Sequence, residues 1–92
     1  MFKSIDKKLE EIGFYLVYDC DTHVHYERHD DKFNFTHTVM LGHKKNGKHI
    51  IQSYDENLFD SKGIGNTCVG LTYYETKLFM KKMKQKGWID KK

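Results

Sequence analysis

Apolar positions along this chain change their spacing several times, and each change marks an element. Ile5, Leu9 and Ile12 fall at i, i+4 and i+7, a narrow helical stripe. Ser4 is placed to cap that helix, Asp6 suits the positive end of its dipole, and Gly13 suits the position just past its end. The spacing predicts a helix over 5–12 that lies against a sheet. Phe14–Tyr18 follows as an apolar run of strand length, and Asp19–Thr22 reads as a turn. From Thr22 to Arg28 the period becomes two, with Val24 and Tyr26 on one face and His23, His25 and Glu27 on the other. His29–Lys32 makes the next turn.

The run from Phe33 to Tyr54 carries the sharpest local signal. Two β-rich stretches flank Asn46-Gly47, a dipeptide that tolerates the positive φ angles of a type I′ turn. A two-residue hairpin there sets Lys45 opposite Lys48, His43 opposite Ile50, Leu41 opposite Gln52 and Val39 opposite Tyr54. In that register Phe33, Phe35, His37, Val39 and Leu41 share a core face with Ile50, Gln52 and Tyr54, while Met40, His49 and Ile51 lie on the other. His37 and Gln52 are then polar residues at core positions and need hydrogen-bond partners.

Asp55–Gly70 has few regular signals. Gly63, Gly65, Asn66 and Gly70 mark a loop, with a short strand expected near Cys68-Val69, and a connection of this length often has a function. The second helix opens on Thr72-Tyr-Tyr-Glu75, a capping box, and should run to about Lys86 and stop at Gly87, with Trp88 and Ile89 folding back on the body. The expected architecture is α+β, in the order α-β-β-β-β-α: a four-stranded antiparallel meander covered by two helices. Residues 1–92 form one domain, since a chain this short has room for one core.

Composition narrows the function. A hydrophobic fraction of 38% and an aromatic fraction of 14% suit a folded protein rather than a disordered one. No apolar run approaches a membrane span, and the first residues turn charged at once, so cytoplasmic residence is the expectation and no membrane partner is expected. Cys20 and Cys68 form no C-x-x-C pair and are expected as free thiols. The net charge of +3 is small but uneven. After Glu75 the lysines at 77, 81, 82, 84, 86, 91 and 92 face a single acid, Asp90, which leaves the rest of the chain net acidic.

The second helix is apolar on two sides. Tyr73, Thr76, Phe79, Met80 and Met83 share one arc, taken as the core side, and Tyr74 and Leu78 lie nearly opposite. Tyr74, Leu78 and Trp88 are therefore the expected partner-binding residues, for a second copy of the chain or another protein. The alternative is a nucleic-acid-binding surface of Lys77, Lys81 and Lys84 near the Trp88 end, since ammonium groups release counterions from phosphates. Double-stranded-RNA-binding domains share the flanking helices, but they have three strands and a final helix that opens on a basic cluster.

His23, His25 and Glu27 project from one face at a spacing open to a shared zinc ion, with His29 or His49 as further ligands. Solvated residues on a strand's outer face look the same, and no metal or cofactor is assigned. Gly63-Ile-Gly65-Asn lacks the endings of the dinucleotide and P-loop motifs, Asp60 stands where a calcium loop from Asp55 needs glycine, and neither serine nor cysteine has a nucleophile's context. The expectation is a protein that is not an enzyme.

Four segments carry a resemblance: Ile5-Asp-Lys-Lys-Leu-Glu-Glu-Ile-Gly-Phe14, Tyr26-Glu-Arg28, Gly47-Lys-His-Ile-Ile-Gln-Ser-Tyr54 and Val69-Gly-Leu-Thr-Tyr-Tyr-Glu-Thr-Lys-Leu78. Together they resemble small phage- and prophage-encoded proteins of low-GC Gram-positive bacteria, with the stretch from Leu58 to Asn66 as the point of departure. That resemblance implies an intracellular accessory protein and transfers no catalytic or binding residue.

Overall fold

The structure, a computed structural model, describes residues 4–33, 35–57 and 68–89. The elements are α1 (Ile5–Glu11), β1 (Tyr15–Asp19), β2 (His23–Asp30), a short 3-10 turn (Asp31–Phe33), β3 (Phe35–Gly42), β4 (Ile50–Asp55) and α2 (Tyr73–Gln85). The strands form one antiparallel sheet in the order β1-β2-β3-β4. This is the expected α+β meander with two helices. Residues 58–67 of the expected loop lie outside the described residues, as does the core placement of the Phe33 side chain; Cys68 makes an isolated bridge to Tyr54.

Both helices begin and end as their sequences direct. Ser4 accepts from the Lys7 amide, and Thr72 and Glu75 complete the capping box in both directions. At the far ends the two helices use one device. Gly13 (φ 97°) and Gly87 (φ 79°) adopt left-handed backbone, where a Cβ would be strained. The next amide then returns to the carbonyl five residues back, Phe14 to Leu9 at 2.9 Å and Trp88 to Met83 at 3.0 Å. Each reversal drives an aromatic ring into the interior beside its helix.

That interior lies between the helices and one face of the sheet. Leu9, Phe14, Val24, Tyr26, Val39, Leu41, Leu78, Phe79, Met83 and Trp88 make one buried cluster, with Ile5, Ile12, Ile51, Leu71 and Ile89 packed around it. Phe79 sits at its centre, its ring 5.3 Å from Phe14 and 5.5 Å from Tyr26.

Two expectations require correction. The hairpin register is one residue off: Leu41 faces Ile51, Met40 faces Gln52, Val39 faces Ser53 and His37 faces Asp55. The Asn-Gly turn is not a two-residue I′ turn. The Lys44 carbonyl accepts from the Gly47 amide, so Lys45 and Asn46 are the central residues and Gly47 (φ 80°) follows them. Pairing of the two strands ends at Gly42 and Ile50. A slip of one residue turns every side chain of a strand over. Ile51 and Ser53 therefore join the helix-covered face, and Gln52 is exposed.

The second correction concerns α2. Its buried residues are Glu75, Leu78, Phe79, Lys82 and Met83, whereas Tyr73 and Met80, expected on the core side, are exposed. Leu78 is 2% exposed and Trp88 9%, so neither contributes to an outer apolar patch; of the expected partner-binding residues only Tyr74 lies at the surface.

Candidate functional surfaces

A buried polar array crosses the helix–sheet interface. Arg28, from β2, sends Nη1 to Glu75 Oε2 at 2.9 Å and to the Ile12 carbonyl at 3.3 Å, and its Nη2 lies 3.1 Å from His37 Nδ1. Its guanidinium also stacks over the Phe14 ring, 4.2 Å from the centroid. On its other side His37 reaches Ser53 Oγ, Nε2 to oxygen 2.5 Å. The one-residue register correction places Ser53 there, and it supplies the partner His37 needs.

Hydrogen-bond logic fixes the proton. Arginine only donates, so Nδ1 of His37 accepts and Nε2 carries the hydrogen, donated to Ser53. With its proton there, the imidazole cannot take the serine proton as a general base would. The array is a buried structural network, not a nucleophile with its base.

Its electrostatics set an acid response. Burial, with Arg28 beside it, holds the His37 pKa below the usual 6.5 against the opposing pull of Glu75 and Asp55. For Glu75, burial acts to raise the pKa, but the Thr72 amide and Arg28 outweigh it and the net shift is downward from 4.5. His25 is also lowered, by burial and by His23, partly offset by Glu56 and Glu27. A histidine with a lowered folded pKa binds its proton more readily in the unfolded chain, so its stabilisation is full above pH 6.5 and declines as pH falls. Glu75 adds a second decline, below pH 4.5. Urea midpoints should therefore fall from pH 7 to pH 5, and more steeply below 4.5. In His37→Gln the first decline should shrink; an unchanged pH 7-to-5 profile would contradict the assignment.

A second polar junction ties the two helices to the sheet. Asp6 accepts from the buried Tyr26 hydroxyl at 2.5 Å and pairs with Lys82 at 3.3 Å. Lys82 is thus buried in an ion pair and stands apart from the lysines expected on an exposed series. Lys77 and Lys81 are exposed, with the Lys77 ammonium 5.3 Å from the Tyr73 ring centroid.

Among the described residues the longest run of exposed large apolar side chains is in β1. Tyr15, Leu16, Val17 and Tyr18 are 56%, 39%, 52% and 53% exposed. Among the described residues the strand pairs only with β2 and its outer edge has no partner, whereas the outer side of β4 receives the Val69 amide at the Ser53 carbonyl, 3.1 Å. A register shift between Leu16 and Tyr18 marks a bulge at Val17. The strand's one charge, Asp19, is held by Lys86 at 2.6 Å. Tyr74 also lies exposed, on α2. The signal for this edge was present in the sequence, since the first strand of a meander has a neighbour on one side only.

At the Gly42–Ile50 end of the sheet three rings lie together, within 30° of parallel. His43 is 4.7 Å from His49 and 5.4 Å from Trp88, at 22° and 20°. His49 Nδ1 accepts from the Lys44 amide at 3.1 Å, which shapes the 43–49 connection. Nearby, Cys20 is a free thiol whose pKa is drawn down to about 6, first by the Tyr18 hydroxyl and then by Thr22. His23 and His25, the suggested metal ligands, have ring centroids 6.3 Å apart; among the described residues no three His, Cys, Asp or Glu are grouped to hold a metal ion.

A cleft of about 740 Å³ opens between β4, Cys68–Leu71 and Thr76. It includes Ser53, and none of the described residues that line it is an aspartate, glutamate, lysine, arginine or histidine. Among the described residues no helix is long and apolar enough to cross a membrane. No protein-family model, curated protein or solved structure matches this chain.

Proposed function

We propose that the protein is a non-enzymatic self-association module, an accessory protein of the phage type its sequence resembles, which pairs through the open edge of β1. The observation that carries this reading is an edge strand with four exposed large apolar side chains in a row and no free charge. Exposed sheet edges template pairing with another strand, and proteins that keep them single use lysine, proline or a covering segment. Here there is no proline in the chain and no lysine in β1, and among the described residues a bulge is the strand's only blunting feature.

A second copy is the partner that fits best. The Tyr15–Tyr18 run is apolar at each position and reads similarly in either direction, so an antiparallel two-fold contact sets it against itself. Val69 on the far edge of β4 stops that edge from extending the sheet in the same way. The internal array supports the non-enzymatic part, because the serine–histidine pair in it holds its proton the wrong way round for catalysis.

Light scattering across a concentration series tests the proposal. The 11.0 kDa chain should approach twice its mass, and Tyr15→Lys with Val17→Lys should return it to the single-chain mass with unchanged circular dichroism. A wild-type protein that stays at the single-chain mass throughout would contradict it; rescue of pairing only by an added protein would replace the second copy with that partner.

A further inference from the structure

The fold gathers acids at one end and lysines at the other, with Asp19 and Asp21 at the β1–β2 turn also at the lysine end. Arg28 reaches Ile12 and Glu75, so the end of α1, the start of α2 and the far ends of β2 and β4 meet at one end of the molecule. Glu10, Glu11, Asp30, Asp31, Asp55 and Glu56 gather at that end. At the opposite end, the Trp88–His43 stack brings the tail of α2 against the β3–β4 connection. Lys44, Lys45 and Lys48, all exposed, thereby join Lys84 of α2 and Lys86 just past its end. Lys86 is occupied by Asp19, and the other four lysines stand at the end of the molecule that holds the His43, His49 and Trp88 rings.

We propose that this end is a binding site for single-stranded nucleic acid. Lysines that converge from two segments supply phosphate contacts, and the half-buried His43 and His49 rings, clustered with Trp88, supply aromatic surface on which a base can stack. Trp88 itself is too buried to receive a base, so it serves as backing for the histidines. The acidic far end orients the approach of a polyanion, since separated charge steers encounter. The site differs from a lysine series along α2: Lys77 and Lys81 are outside it, and the β3–β4 connection, whose Lys48 lies 36 residues before Lys84 in the chain, is its main part. It is also separate from the β1 edge and does not depend on self-association.

Fluorescence anisotropy with a labelled oligothymidine tests the site. Binding at low salt should weaken as salt rises with a log–log slope of about −3 for four lysines. Lys45→Glu with Lys48→Glu should weaken it more than about tenfold and roughly halve the slope, with melting unchanged, because both are exposed turn positions. His49→Ala should cost about tenfold on oligothymidine and leave heparin, which has no bases, unaffected. No anisotropy change at low salt, or wild-type affinity in the double lysine variant, would overturn the proposal. So would equal effects of His49→Ala on oligothymidine and heparin, or preference for polyglutamate over oligothymidine, which would indicate an acidic protein instead. The Tyr15→Lys/Val17→Lys variant should bind oligothymidine as wild type does at the single site, so failure of self-association leaves this result readable.

Discussion

Phe79→Ala should cost about 4 kcal/mol of folding stability, the largest single loss expected in this chain. Phe79 is fully buried at the meeting point of α2 with Phe14 and the β2 face, where its ring contacts both Phe14 and Tyr26 edge-on or tilted. Truncation removes the transfer energy of the ring and leaves a cavity between two rigid aromatics that cannot close over it. Small domains hold only about 5–15 kcal/mol in total. At roughly 4–8 °C per kcal/mol for a domain of this size, the thermal midpoint should drop by about 15 °C or more. A drop under about 5 °C would place Phe79 at the margin of the core rather than its centre.

Arg28→Ala should be nearly as damaging, by a different route. Arg28 is the one group that touches Glu75, the Ile12 carbonyl, His37 and the Phe14 face together. Its loss leaves the Glu75 carboxylate, whose side chain is 9% exposed, without its counter-charge, and removes the donor to His37 Nδ1. Breaking a buried ion pair on one side costs about 3–5 kcal/mol, and the lower figure applies because Arg28 is itself 31% exposed. Arg28→Lys should recover little, since one ammonium cannot span three acceptors or stack on a ring. Arg28→Ala combined with Glu75→Gln should cost less than the sum of the two single variants in urea titrations; strict additivity would mean that the pair is not coupled.

The fold is legible in the sequence where the signal is local, and illegible where the deciding partner is distant. Caps, glycine stops and the alternation in β2 each depend on neighbours a few residues away, and the elements they predict are present. The Asn46-Gly47 pair permits a two-residue turn, but stacking of His43 on Trp88, 45 residues later, belongs with a longer connection and the shifted register. On α2, hydrophobic spacing treats Glu75 and Lys82 as surface residues. Arg28 and Asp6, 47 and 76 residues away, neutralise them inside, and the buried face rotates toward them and takes Leu78 with it. The same blindness hid the polar array: His37 was legible as a polar core residue, but Ser53 was assigned to the wrong face by the register. The basic end was half visible as a lysine-rich tail, and only the fold adds the 44–48 turn to it.

Amide hydrogen exchange at β1 reads the edge itself and so distinguishes a paired strand from a single one. In a single chain the amides of Tyr15–Asp19 that point away from β2 face water and exchange freely. Self-association through the edge predicts protection of those outward amides that rises with protein concentration and disappears in Tyr15→Lys/Val17→Lys. Free exchange of the outward amides at every concentration, with the inward ones protected as usual, would contradict pairing through β1.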